Sequence, residues 1–203
     1  MIYSVGISLG AMSSIESGVA VREIATGKLI YVDKLFSMND VKLFFDNYNT
    51  LKDSVFCISL PWDNSMLEGK WRVLSKPYQL IHSGEMPFRN KDNWTQRFSN
   101  RGSDLFLELK ENGVDISRFE VYLTRQKFNL YSNYKERSSA DCKFLQNALK
   151  FEYGFEDFSS NMMPMAQLEA IVGALLAEEK LKNNTQEIFS YNNLSVINLK
   201  AGT

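Results

Sequence analysis

The sequence predicts an α/β domain built on a mixed sheet, antiparallel at first and parallel later, with helices packed against it. Three observations predict it. Residues 2–9, 17–24 and 28–36 are apolar, strand-like runs separated by short turn-prone stretches. Connections that short join antiparallel neighbours, so these runs form a meander. After Phe36 the apolar period changes from two to 3.6, and helix and strand patterns then alternate.

The elements follow in order. The first run, Ile2 to Leu9, ends at Gly10, and Gly10 to Ser14 is small and turn-prone. Ala25-Thr26-Gly27 is a glycine-containing hairpin loop between the second and third runs. Ser37 and Asp40 have the spacing of a capping box. Val41, Phe44, Phe45 and Tyr48 then recur at i, i+3, i+4 and i+7, one face of a helix. Ser54 to Leu60 is a continuous apolar run closed by Pro61, the pattern of a strand buried on both faces. Reached through a helix, it is expected to run parallel to a member of the meander.

Ser103 is a fitting N-cap for a helix through about Asn112, with Gly113 as its stop. Phe119 to Leu123 reads as a further strand. Ser138 or Ser139 caps a helix over Phe144, Leu145, Ala148 and Leu149. Pro164 opens the longest helical pattern, to about Leu181. Leu168, Ile171, Val172, Leu175 and Leu176 form its core stripe. Ala166, Ala170, Gly173, Ala174 and Ala177 make a small face that lets its backbone approach the sheet. Glu187 to Leu199 suggests a short strand pair.

At 203 residues with 44% apolar content, the chain is expected to be one domain over 1–203, with an irregular insertion at about 61–101. A net charge of −1 provides no global field toward nucleic acid or anionic membrane, so any polyanion site is local. Cys57 and Cys142 have no neighbouring Cys or His at ligand spacing, which argues against zinc and against a disulfide framework. No secretory pattern opens the chain, and no apolar run approaches the roughly 20 residues that span a bilayer. A cytoplasmic protein without a membrane partner is expected.

The order of elements and five short motifs carry a resemblance. The motifs are Gly6-Ile7-Ser8-Leu9-Gly10, Ser59-Leu60-Pro61-Trp62, Glu120-Val121-Tyr122-Leu123, Tyr134-Lys135, and Glu169-Ala170 followed by Gly173 and Ala174. Together they resemble the predicted-nuclease family called domain of unknown function 429, within the ribonuclease-H-like fold, over roughly residues 2–182. In that family the corresponding motifs read approximately Gly-Ile-Asp-Leu-Gly, Asp-Ala-Pro-Leu, Glu-Val-Tyr-Pro, Tyr-Lys and Asp-Ala. The resemblance implies a mixed five-stranded sheet, three antiparallel strands then parallel ones, flanked by helices. Sugar kinases and actin-like ATPases open on a similar run. They need two such domains, and 203 residues do not hold a second copy.

For such nucleases the resemblance implies two divalent ions, held by carboxylates, that activate water for phosphoryl displacement. The family-matched positions that would hold or position them are Ser8, Ser59 and Glu169, with Glu120 as a further one that the sequence does not place against Ser8. Two of the three acids are therefore hydroxyls, poor ligands for a hard dication. Asp63 could serve with Glu169 as a substitute metal ligand, and Glu16 and Asp33 are further candidates on the meander. Each position also has a plain structural reading. Ser8 and Ser59 would satisfy backbone groups at strand ends. Glu169 would be a surface acid early in a helix, and Glu120 would pair with Arg118 at an edge.

From Gly69 to Arg101 the chain holds seven basic residues against two acids, interleaved with aromatics. Lys70, Trp71, Arg72, Arg89, Lys91, Trp94, Arg97 and Arg101 are the candidates for single-stranded nucleic acid, through charge and stacking. A flap packed on its own aromatics is the competing reading. The leading expectation is a catalytically degraded nuclease relative that acts by binding, through this segment or an oligomer face. The alternatives are an active Mg²⁺- or Mn²⁺-dependent nuclease with a migrated acid set (Glu120, Glu169, Asp63) and a structural or protein-interaction domain.

Overall fold

The structure is a computed structural model. It describes residues 2–9, 17–47, 53–59, 105–135, 137–155, 158, 160–191 and 194–201, and the backbone of 72–74 and 79–81. Strands β1 (Tyr3–Ser8), β2 (Ser17–Glu23) and β3 (Leu29–Leu35) form the expected antiparallel meander. Gly27, at φ 71°, turns the β2–β3 hairpin. Helix α1 (Met38–Asn47) follows. Its start is capped as the spacing predicts: Asp40 N–H donates to Ser37 Oγ at 3.1 Å, and Phe36 N–H donates to Asp40 Oδ2 at 3.0 Å.

Strand β4 (Val55–Ser59) is buried throughout and parallel to β1. A hairpin of β5 (Arg72–Leu74) and β6 (Gln79–Ile81) forms a separate two-stranded sheet. Helix α2 covers 105–111 and ends at Gly113, whose φ is 82°. Next come β7 (Ile116–Phe119), α3 (Val121–Lys127), α4 (Ser139–Glu152), α5 (Met165–Leu181), β8 (Thr185–Tyr191) and β9 (Leu194–Leu199). The main sheet runs β3-β2-β1-β4-β7-β9-β8. It therefore has seven strands rather than five, because the C-terminal pair joins it beyond β7, with β9 parallel to β7.

One expected strand is corrected. Phe119 to Leu123 does not continue as strand: the strand lies at Ile116–Phe119, and residues 121–127 are helical. Glu120 decides the switch. Its backbone is extended and its Oε2 accepts from Leu123 N–H at 2.8 Å, which satisfies one of the unpaired amides of a helix start. The alternating apolar pattern of Val121-Tyr122-Leu123 is too short to separate strand from helix.

Both faces of the sheet are covered, and side-chain alternation sorts two cores. Val5, Ile7, Val19, Val21, Phe56 and Ile58 pack with residues of α1 and α2. Ala20, Val55, Cys57 and Phe119 pack with α3, α4 and α5. Cys57 acts as a small apolar filler; burial pushes its thiol up to about 12.

Helix α5 goes beyond the expected stripe, since its residues from Met165 to Ala177 are all buried except Gln167. Burial of side chains such as Leu168, Ile171 and Leu176 stabilises by roughly 1.5–3 kcal/mol each. Its small face meets the small faces of β1 and β2. A Cβ added at Gly6 would collide with the Ala170 carbonyl and the Ala174 amide, and one at Gly18 with the Ala166 carbonyl. A Cβ at Gly173 would stand 2.8 Å from the Phe119 ring. The helix backbone thus rests almost directly on the strand backbone.

Gly6→Ala is expected to cost about 3 kcal/mol, since the clash is with backbone that cannot rotate away. Gly154→Ala has open space around it but a φ of 68°, and should cost about 1 kcal/mol from backbone strain alone. Urea titration of both variants checks this; equal midpoints would contradict the close-approach account.

Candidate functional site at the sheet ends

Strands β1, β4 and β7 are parallel neighbours that end level. Ser8 lies in register with Ser59, and Ser59 with Phe119, so Glu120 follows at the same edge. The close seating of α5 brings Glu169 to this edge. Ser8 Oγ donates to Glu169 Oε2 at 2.8 Å, across 161 residues of sequence. Glu169 is 1% exposed, so it is not a surface acid. Ser8 therefore holds a buried carboxylate rather than merely its own backbone. Ser59 is buried on the same sheet face, by the alternation that points Val55 and Cys57 toward α5, and its carbonyl accepts from Leu9 N–H at 3.1 Å.

A guanidinium completes the cluster. Arg137 Nη1 lies 3.5 Å from Glu169 Oε2. Nothing in the sequence analysis singled out Arg137. The only signal near it was the cap at Ser138, and the structure ties the two together. Ser138 Oγ accepts from Asp141 N–H at 3.2 Å, while Asp141 Oδ2 accepts from Arg137 N–H at 3.0 Å. That reciprocal cap holds Arg137 at φ 55°, a left-handed conformation uncommon outside glycine.

Asp141 is itself a hub. Arg125 donates to both its oxygens, Nη1 to Oδ2 at 3.1 Å and Nη2 to Oδ1 at 2.6 Å, and Ser132 Oγ donates to Oδ1 at 2.7 Å. Arg125 Nε also donates to the Leu130 carbonyl at 3.1 Å, and its guanidinium lies 6.0 Å from the Tyr122 ring centre. Burial alone would push the Asp141 carboxyl up. The hydrogen bonds and charge of Arg125, with Ser132 and the Arg137 amide, outweigh it and hold the carboxyl below its usual range. Burial likewise opposes the Arg125 charge, and Asp141 outweighs that too.

The other sequence candidates are placed differently. Glu120 caps α3 through Leu123 N–H. Asp33 is exposed on β3, where it accepts from Tyr31 Oη and Lys34 N–H. Asp63, Glu16, Lys70, Trp71, Arg89, Lys91, Trp94, Arg97 and Arg101 lie outside the described residues, as does the Arg72 side chain. Among the described residues no helix is long and apolar enough to cross a membrane.

Strand order and level strand ends are the features to set beside known proteins. No family model matches the chain, and no curated protein matches it. Among solved structures it is similar to Thermus thermophilus RuvC, with a TM-score of 0.53 and 9% identity over 89% of this chain and 96% of that one. The fold is ribonuclease-H-like. The structure of T. thermophilus RuvC in complex with Holliday junction substrate is also similar, with a TM-score of 0.49 and 11% identity over 90% and 96% of the two chains.

A ribonuclease-H-like fold implies divalent ions at these strand ends, and among the described residues the donor set does not fit them. Two of the positions are neutral hydroxyls. The one carboxylate between them, Glu169, already accepts from Ser8 and faces a fixed cation, and Glu120 Oε2 accepts from a backbone amide. Among the described residues no group of three or more His, Cys, Asp or Glu could hold a metal ion. Even Mg²⁺, which takes only one or two carboxylates with water and phosphate, would have to compete with Arg137 and Ser8 for Glu169.

Asp141→Asn should destabilise by roughly 3–5 kcal/mol, because it leaves Arg125 buried without its counter-charge. The depressed Asp141 carboxyl contributes stability above the ordinary carboxylate pKa of about 3.9. That contribution is lost as pH falls below it toward the folded-state value. Stability measured from pH 7 down to pH 3 should therefore fall less steeply in Asp141→Asn than in the parent; parallel curves would contradict the assignment.

Proposed function

We propose that this chain is a degraded relative of ribonuclease-H-like nucleases that acts by binding the nucleic-acid backbone without a catalytic metal. The observation that carries the reading is the pairing at the strand ends. Ser8 donates to Glu169 where a nuclease would present two carboxylates to an ion, and Arg137 supplies positive charge at the same point. Ser8 donates its one O–H to Glu169, while the Arg137 guanidinium keeps further N–H donors with which to hold an anion. Neither group is equipped to ionise a metal-bound water.

The five motifs that resemble domain of unknown function 429 support common descent with that family, and the loss of acid at Ser8 and Ser59 supports loss of cleavage. The basic and aromatic composition of 69–101 supports single-stranded substrates, with Lys70, Arg72, Arg89, Lys91, Arg97 and Arg101 contributing charge and Trp71 and Trp94 contributing stacking. An active enzyme would instead require Asp63 to join Glu169 and Glu120 around Mg²⁺ or Mn²⁺.

Fluorescence anisotropy with labelled single-stranded DNA and RNA, at two salt concentrations and in EDTA, tests the reading. Binding that persists in EDTA and weakens steeply with salt is expected, with no cleavage in millimolar Mg²⁺ or Mn²⁺. Metal-dependent cleavage of either strand would overturn it in favour of the active enzyme. Absent or salt-insensitive binding would count for a protein-interaction role.

A further inference from the structure

Resting on that reading, we infer that Arg137 is the residue that contacts the nucleic-acid phosphate at the strand ends, as a built-in cation standing where the fold otherwise uses a metal ion. Three independent features of the structure lead there.

The first is placement. The Arg137 guanidinium is held at Glu169, where β1, β4 and α5 converge. Its contact with Glu169 uses one terminal nitrogen at 3.5 Å, and its side chain is 36% exposed. A guanidinium has five N–H donors in a planar fork, so most of the fork is left to face an incoming ligand. Phosphate oxygens match that fork in charge and spacing.

The second is fixation. An ordinary surface arginine loses side-chain entropy when it binds, whereas the Arg137 head is already restrained at Glu169 and its backbone is held as well. Asp141 receives its amide, and Arg125 and Ser132 anchor Asp141 in turn. Arg125 and Asp141 neutralise each other, so the network positions Arg137 without adding net charge beside it.

The third is the adjoining surface. Beginning at Tyr134 and Ala140, on either side of Arg137 in the chain, an open groove of about 470 Å³ runs along α4 past Lys143, Phe144, Asn147 and Phe151 to Glu152 at its far end. Two of its aromatic rings are exposed, Tyr134 at 53% and Phe151 at 77%. Exposed rings beside cations are the elements on which unpaired bases stack while the phosphates are held. Their presence favours single-stranded nucleic acid over a free phosphate ion.

The test measures anisotropy of a labelled single-stranded oligonucleotide in EDTA with the parent chain and with Arg137→Ala, Arg137→Gln, Arg137→Lys, Tyr134→Ala and, as a distant control in the β2–β3 hairpin, Lys28→Ala. Circular dichroism melting establishes that each variant folds. Arg137→Gln keeps a hydrogen-bonding side chain beside Glu169 and serves if Arg137→Ala does not fold. Loss of Arg137 should weaken binding about tenfold and lower the slope of log affinity against log salt by about one, as removal of one phosphate contact does. Arg137→Lys should fall between, since it keeps the charge and loses the fork. Tyr134→Ala should weaken binding without changing the salt slope, and Lys28→Ala should change neither. Inorganic phosphate should compete only weakly; full displacement at low millimolar phosphate would make the ligand a free anion and overturn the strand assignment. Unchanged affinity and slope in both Arg137→Ala and Arg137→Gln overturns the inference while leaving nucleic-acid binding standing. A parent chain that binds no oligonucleotide overturns both.

Discussion

Everything at the sheet ends depends on how closely helix α5 lies on strand β1. Gly6 sits beneath Ala170 and Ala174, and Gly18 beneath Ala166, with no room for a single added carbon at either. Only at that separation can a helical glutamate reach a strand serine. Ser8 and Glu169 meet at 2.8 Å because the glycines and alanines beside them have removed every side chain that would hold the backbones apart. Close packing of this kind has little tolerance, since protein interiors are as dense as organic crystals. The position of the candidate site is thus a consequence of packing small residues against small residues.

A second constraint acts from the opposite side. Asp141 joins Arg125, Ser132, Arg137 and Ser138 into one network, satisfied at each oxygen by N–H or O–H donors. Buried ion pairs contribute little net stability when compared with apolar replacements, so this one is better understood as fixing geometry. It sets the path of the chain between α3 and α4 and leaves Arg137 in a left-handed conformation with its head at Glu169. Packing delivers the acid and hydrogen bonding delivers the base.

Chemically the result is a site whose acid is charge-compensated by the chain itself. A ribonuclease-H-like metal centre concentrates negative charge to attract cations. Here Ser8 and Arg137 meet Glu169, with Ser59 buried on the same sheet face in register with Ser8. Glu169 is engaged by Ser8 and Arg137 rather than left open to a dication, and that is the ground for the proposal that binding replaced cleavage. The exposed rings of Tyr134 and Phe151 extend the same surface outward along α4.

Much of the fold was legible in sequence because it rests on local rules. Turn glycines, capping serines, the doubly buried run at Val55–Ser59 and the small face of the last long helix each state their structure within a few residues. The resemblance of the five motifs brought Ser8, Ser59 and Glu169 together before any coordinates did. Glu120 was misplaced because a capping carboxylate and an alternating strand look alike over five residues, and only the hydrogen bond to Leu123 N–H separates them. Arg137 was invisible for a different reason. Its role depends on Asp141, Arg125 and Glu169, which lie up to 32 residues from it in the sequence and meet only through packing. By itself the sequence determined most of the strands and helices, the segment at Glu120 excepted, and the hydroxyls at the ends of β1 and β4, since those follow from local pattern and residue chemistry. The tertiary structure alone decided that a guanidinium faces the remaining acid, because charge pairing across distant segments is set by how closely their backbones can approach.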